Sequence, residues 1–323
     1  MLLRSIPFIG FILLSYPMVS QTCCSGGVPL SNNLGLPIEE RGIWQFGLNF
    51  DYNNLNTLNA GNTKLDDNSR ERITNSILLS VAYSITDRFA LETLFSWVNQ
   101  TRTITQFGNE NFTETSGIGD AVLLAKYAFP EALGVKSAVN LGLGAKAPLG
   151  RSDLTNEDGF LLTADLQPGS GAWDALGWLS LSKAFDFRPS ATFSGNFVYR
   201  YTGVNNSYLN STSTYEFGNV FQANVGYTDQ FLLFNTIFNP GLIFKYRNAS
   251  IDKINSINLP NTGGEWVFVR PELSVSIIPN FLVTLRLVLP IYSYVVGTQL
   301  TPTTRFTAGV YFKLNNKNNT INL

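Results

Sequence analysis

The chain of 323 residues contains no histidine, and that absence excludes much of enzymology. A Ser-His or Cys-His hydrolase and a His-ligated zinc or haem site all need an imidazole. Charge is scarce too. Asp, Glu, Lys and Arg make up 14% of the residues, against roughly 25% in an average soluble domain. The 22 Lys and Arg nearly balance the 23 Asp and Glu, so the net charge of −1 gives no basis for binding nucleic acid. Nor does any apolar run approach the roughly 18 residues that a membrane-spanning helix requires. Neither catalysis nor a cofactor is expected.

What the sequence has instead is alternation. From about residue 43 to 314, bulky apolar or aromatic side chains recur at every second position, and 13% of the chain is aromatic. Trp44, Phe46, Leu48, Phe50 and Tyr52 share one face of the first segment, with Gln45, Gly47, Asn49 and Asp51 on the other. About twelve such strands, roughly eleven to seventeen residues long, are separated by connections that are alternately short and long. An all-β, antiparallel transmembrane barrel follows, with short periplasmic turns and long outer loops. A soluble sandwich fits less well, because its strands average about five or six residues around a dry aliphatic core. Tyr52, Tyr83, Phe129, Tyr201, Tyr227 and Tyr246 lie near strand ends, as interfacial girdles require. Three details strain the scheme. Trp173 and Trp178 fall on opposite parities of the sixth strand, the eighth is drawn from Tyr215, and Pro240, Pro271 and Pro290 imply bulges or earlier strand ends.

The inward parity names the lumen lining. Its acids are Asp51, Glu92, Asp120, Asp174, Glu216 and Glu272; its bases are Lys126, Lys146, Arg200, Lys245, Arg247, Arg270, Arg286, Arg305 and Lys313. Most should form cross-strand ion pairs, because unpaired charge in a narrow lumen is costly. The surplus of bases would favour an anionic solute.

Residues 1–20 read as a signal peptide, with Arg4 in the positive region, Ile6 to Leu14 as the apolar stretch and Ser20 before the cleavage point. Residues 21–42 form a periplasmic segment or lumenal plug, 43–314 the barrel and 315–323 a periplasmic tail. Cys23 and Cys24, the only cysteines, leave four readings open. They are lipidation of Cys23, a vicinal disulfide, a soft-metal site such as one for Cu(I), and a plain small-residue turn.

Several motifs resemble those of the outer-membrane transporter family named after the meta-pathway of phenol degradation, a relative of the FadL-like channels. Gly117-Ile118-Gly119-Asp120 followed by Lys126-Tyr127, Lys146-Ala147-Pro148-Leu149-Gly150, Leu166-Gln167-Pro168-Gly169-Ser170-Gly171 with Asp174, and Tyr215-Glu216-Phe217-Gly218 carry the likeness. The resemblance implies a barrel that takes up small hydrophobic or aromatic molecules. Twelve-stranded outer-membrane phospholipases and omptin-type proteases depend on the missing histidine. The expected function is therefore passive passage of a small hydrophobic or anionic solute, with outer-membrane lipids and that solute as partners. Two alternatives stand beside it. One is a non-transporting barrel for surface anchoring or assembly, working through outer loops such as 54–72 and 148–172. The other is a metal-handling partner of a periplasmic protein, acting through the cysteine pair.

Overall fold

Alternating sequences bury one strand face only, and a sheet made of them must either stack on another layer or close. Here it closes. The computed structural model, which describes residues 34–315, is a 12-strand antiparallel barrel. The strands are β1 Ile43–Ala60, β2 Arg70–Ser84, β3 Phe89–Gln106, β4 Ala121–Pro130, β5 Ser137–Ala147, β6 Asp174–Ala184, β7 Thr192–Tyr201, β8 Val220–Thr228, β9 Thr236–Ala249, β10 Gly264–Ile278, β11 Phe281–Val295 and β12 Thr298–Asn315. Each pairs with its neighbour in sequence, and β12 returns to β1 with Asp51 opposite Thr307.

Side-chain exposure follows the two-residue period. Leu48 is 48% exposed and Phe50 44%, while Asn49 and Asp51, which alternate with them, are each 1% exposed. The outer face continues through Ile77, Leu79, Phe95, Trp97, Leu141 and Leu143. A continuous apolar belt of this kind needs lipid rather than water around it. Trp44 and Tyr83 face each other across β1 and β2, their rings 4.5 Å apart, with Tyr127 and Phe129 at the same rim. Trp97, Tyr201, Tyr292 and Tyr294 stand exposed toward the opposite rim. These are the two interfacial girdles of an outer-membrane barrel.

The regular alternation of short and long connections does not survive intact. β3 turns over Phe107-Gly108 into a strand segment, Asn109–Ile118, that pairs with it and is separated from β4 only by Gly119 and Asp120. β11 and β12 are joined by Val296-Gly297 alone. Both apparent loops are hairpins that extend past the membrane, where Thr, Gln and Asn replace the apolar signal yet the ladder continues. The eighth strand begins at Val220, not at Tyr215. Tyr215 and Glu216 pair instead with Val204–Asn205 and Lys253–Ile254 in a small separate sheet of the outer loops. Glu216 consequently leaves the lumen and pairs with Lys253 at 3.2 Å, and Phe217 is buried rather than lipid-facing. Residues 231–233 fold back on 236–238 instead of opening the ninth strand.

The sixth strand resolves in one phase: Asp174, Leu176 and Trp178 point inward, and Trp173 lies outside before the strand begins. Pro240 causes no bulge. It sits opposite Leu273 in an unbroken β9–β10 register, and its carbonyl accepts the Asp229 N–H at 3.0 Å. At Pro290 the register does shift, between Val267 and Phe268, and the β10–β11 ladder lapses at Arg270 and Pro271. β11 and β12 pair only as far as Val288 opposite Arg305; above that point β11 pairs with β10 and β12 with β1.

Candidate lumenal site

One wall of the lumen is unexpectedly apolar. Leu78, Leu94, Val122, Leu124, Leu176, Trp178 and Val198 occupy inward positions on β2, β3, β4, β6 and β7 and form one buried cluster. Leu34 packs against it from the N-terminal segment. Close approach depends on glycine here: a Cβ on Gly35 would lie 2.7 Å from the Trp178 ring, and one on Gly142 3.1 Å from it.

Buried polar groups tie residues 34–42 to the same wall. Glu92 accepts the N–H groups of Gly35 at 3.1 Å and Leu36 at 3.0 Å. Lys126, fully buried, pairs with Glu92 at 2.6 Å and donates to the Leu36 carbonyl. Nearer the periplasmic rim, the Glu39 N–H reaches Ser84 Oγ at 3.0 Å and the Arg41 N–H reaches Asp87 at 2.8 Å. Glu39 itself pairs with Lys313 at 2.5 Å.

Asp120 holds the long loop between β5 and β6 inside the mouth. Its carboxylate meets Lys146 at 2.6 Å and accepts the Ser170 N–H at 3.0 Å and the Gly150 N–H at 3.2 Å. Lys146 also reaches Asp174 at 3.2 Å, and Arg200 lies 3.8 Å from the same oxygen. The short 3-10 turn Ala164–Leu166 is buried, with Asp165 bound to Arg72 at 2.8 Å. Gln167 braces the loop internally through Leu154 and Leu162. Around it the other outer loops close over Tyr208, Tyr215 and Phe217.

Asp252 lies half-buried beneath this cap, accepting hydrogen bonds from Tyr215 Oη at 2.7 Å and Gly218 N–H at 2.7 Å. Burial raises its carboxyl above the ordinary 3.8, and the nearby Asp165 adds to the rise. The two hydrogen bonds and Arg200 work against it without reversing it. Burial likewise pushes the Tyr215 phenol far up.

The opposite wall is basic. Lys245 and Arg247 on β9, Arg270 on β10, Arg286 on β11 and Arg305 on β12 line it, against Asp51 and Glu272. Arg305 pairs with Asp51 at 2.9 Å, and Glu272 lies 3.2 Å from Arg270 and 3.7 Å from Arg286. The Lys245 ammonium sits 5.3 Å from the Phe268 ring centre and the Arg247 guanidinium 4.9 Å from that of Trp266, each across the β9–β10 register. Below them the lumen opens toward the periplasm. A cavity of about 310 Å³ lies between residues 34–37 and β10–β12, beside Arg286 and Tyr311. Another of about 320 Å³ adjoins it at Ser274 and Leu282, beside Glu272.

The structure thus divides the sequence-named lining between two places. Glu92, Asp120, Lys126, Lys146, Asp174 and Arg200 go to the wall that binds the N-terminal segment and the inturned loop. Lys245, Arg247, Arg270, Glu272, Arg286 and Arg305 go to the basic wall. Asp120 and Lys126, neighbours in one motif, do not pair with each other. Arg72, Arg102 and Asp165 are lumenal residues that the sequence pattern does not single out. Arg72 shares the parity of Ser76 and Leu78 but stands just before the apolar stretch that marks the second strand. Asp165 belongs to a loop whose inward turn no periodicity announces. Among the described residues, no group of three or more His, Cys, Asp or Glu is placed to hold a metal. The signal peptide, Cys23, Cys24 and residues 316–323 lie outside the described residues.

A family model described as the putative MetA-pathway of phenol degradation matches residues 80–292. Among solved structures, an outer membrane channel from Pseudomonas putida F1 is similar at 15% identity and a TM-score of 0.67, covering 89% of this chain and 100% of its own. The β domain of the Bordetella autotransporter BrkA is similar at 11% identity and a TM-score of 0.48, covering 84% and 100%. No curated protein matches the sequence.

Proposed function

Since the chain belongs to the family of the putative MetA-pathway of phenol degradation, we propose that it is a passive outer-membrane channel for a small hydrophobic or anionic solute. The observation that carries this reading is the lumen itself. An ordinary barrel core is packed, whereas this one keeps adjoining cavities of about 310 and 320 Å³ beside Glu272, Arg286 and Tyr311. Twelve strands leave more room than the eight of a side-chain-filled barrel and less than a sixteen-stranded porin. Residues 21–42 act as a plug in this reading, the hydrogen bonds of residues 35–41 to Glu92, Ser84 and Asp87 holding it.

Conductance in planar bilayers and solute-driven swelling of vesicles test both parts. Deleting residues 25–40 is expected to raise conductance. Unchanged conductance would remove the plug, and a barrel that conducts no ion and passes no solute in either form would remove the channel. An anchoring or adhesion role has less support, because the second half of the loop 148–173 turns into the barrel through Asp165 and Ser170.

A further inference from the structure

The two cavities at the periplasmic end of the lumen sort charge by sign. Among the described residues, the charged side chains lining the cavity beside residues 34–37 are Arg286 and Lys313, and those lining the other are Asp229 and Glu272. Lys313 and Asp229 are engaged at the rim, by Glu39 at 2.5 Å and by Arg188 at 2.7 Å. Arg286 and Glu272 stand where the cavities adjoin. They are opposite each other in the β10–β11 register, 3.7 Å apart, and the pair Ser274 and Thr284 lies two residues nearer the periplasm. Ser274 lines both cavities. Arg270 approaches the same Glu272 oxygen, Oε2, at 3.2 Å but lines neither cavity.

Thr284 is an independent sign that a polar group belongs there. It is 2% exposed and lines the first cavity, and its Oγ1 is buried without a hydrogen-bond partner. Buried hydroxyls are nearly always paired. Tyr311 steadies the neighbouring guanidinium: its Oη accepts from Arg286 Nη1 at 3.3 Å and donates to Asn49 Oδ1 at 2.8 Å. Toward the N-terminal segment the same cavity is apolar, walled by Leu34, Leu36 and Pro37. The sign pattern discriminates between solutes. A simple anion drawn to Arg286 meets the Glu272 carboxylate 3.7 Å from that guanidinium, and a simple cation drawn to Glu272 meets Arg286 and Arg270. A molecule carrying both charges on neighbouring atoms satisfies both sides. We infer that the junction of the two cavities is a binding site for a zwitterion with an apolar body, built like an α-amino acid. Arg286 and Thr284 Oγ1 donate to its carboxylate, Glu272 Oε1 accepts from its ammonium, and its body lies against Leu34, Leu36 and Pro37. A cavity of roughly 150 Å³ already admits benzene, so one of about 310 Å³ takes a branched aliphatic chain. The site rests on the channel reading and adds an ammonium group to its solute.

The test uses L-leucine and two analogues with the same body, 4-methylpentanoate without the ammonium and 3-methylbutylamine without the carboxylate. Binding to the full-length barrel in detergent is measured by titration calorimetry at neutral pH. Leucine is expected to bind at least tenfold more tightly than either analogue. Its lead over 4-methylpentanoate should vanish in Glu272→Gln, and its lead over 3-methylbutylamine in Arg286→Gln. Heat-modifiable migration reports whether each variant is folded. If neither charge variant folds, Thr284→Val decides, because it keeps every charge. It should weaken leucine and 4-methylpentanoate several-fold and leave 3-methylbutylamine unchanged. Equal binding of leucine and 4-methylpentanoate, no binding of any probe, an undiminished lead in a folded charge variant, or wild-type leucine affinity in Thr284→Val overturns the site. Bilayer recordings separate the two levels. Conductance without leucine binding refutes the site and leaves the channel; leucine binding to a barrel that passes no ion or solute refutes the channel.

Discussion

Replacing Lys126 by Met puts the internal anchor of the N-terminal segment to a quantitative test. Lys126 and Glu92 are both fully buried, 2.6 Å apart, and Lys126 also holds the Leu36 carbonyl. The substitution fills a similar volume but leaves the Glu92 carboxylate buried with two backbone N–H donors, from Gly35 and Leu36, and no cation. Removing one partner of such a pair costs about 3–5 kcal/mol, most of it the penalty of the stranded charge. The double change Glu92→Gln with Lys126→Met strands no charge, and the oxygen of the introduced amide can still accept one backbone N–H. It is expected to recover most of the loss. The assay is urea unfolding of the barrel in micelles, combined with trypsin cleavage after Arg41 as a report on the segment. At a factor of ten per 1.4 kcal/mol, even the lower figure multiplies the freed population roughly a hundredfold. A single variant that loses under about 1 kcal/mol, or a double variant no better than the single, would refute the reasoning.

The remaining predictions concern the outer cap. Asp120→Asn weakens the contacts to Lys146, Ser170 and Gly150 together, so the loop should become cleavable by trypsin at exposed Arg151; a loop as resistant as wild type would count against its being tethered there. Asp252 gives a pH dependence of definite sign. Its folded carboxyl titrates above 3.8 because it is buried, so the folded cap binds the proton more tightly than the open chain does. Cap stability therefore rises as pH falls through the raised value and is fully gained below 3.8. Asp252→Asn should remove this rise, since its amide can accept from Gly218 and donate to Tyr215 Oη. Hydrogen exchange of residues 214–218 across that range checks it, and an unchanged pH profile in the variant would exclude Asp252 as the source.

Much of this protein follows from its period of two. Alternation over Trp44–Tyr52 sets which face meets lipid, and the same parity puts Glu92, Lys126 and Lys245 inside with no knowledge of their neighbours. Parity is a local property, read from one strand at a time, and so are the aromatic ends of strands and the absence of histidine. What parity cannot supply is distance around the barrel. Asp120 and Lys126 share a motif, yet Asp120 is joined to Lys146 and Lys126 to Glu92, because register across β3, β4 and β5 selects the pairs. The pattern starts the eighth strand too early because Tyr215-Glu216-Phe217 alternates like barrel wall while packing as a cap.

The charge count shows the division most clearly. The sequence by itself determined that bases exceed acids on the inward faces. Only closure decided that Glu92, Asp120 and Asp165 pair with Lys126, Lys146 and Arg72, while Asp51 and Glu272 join the bases of β9–β12. Alternation along a barrel strand settles which side each of its charges takes; which of them can neutralise one another depends on separations of a few ångströms that exist only once β12 has met β1.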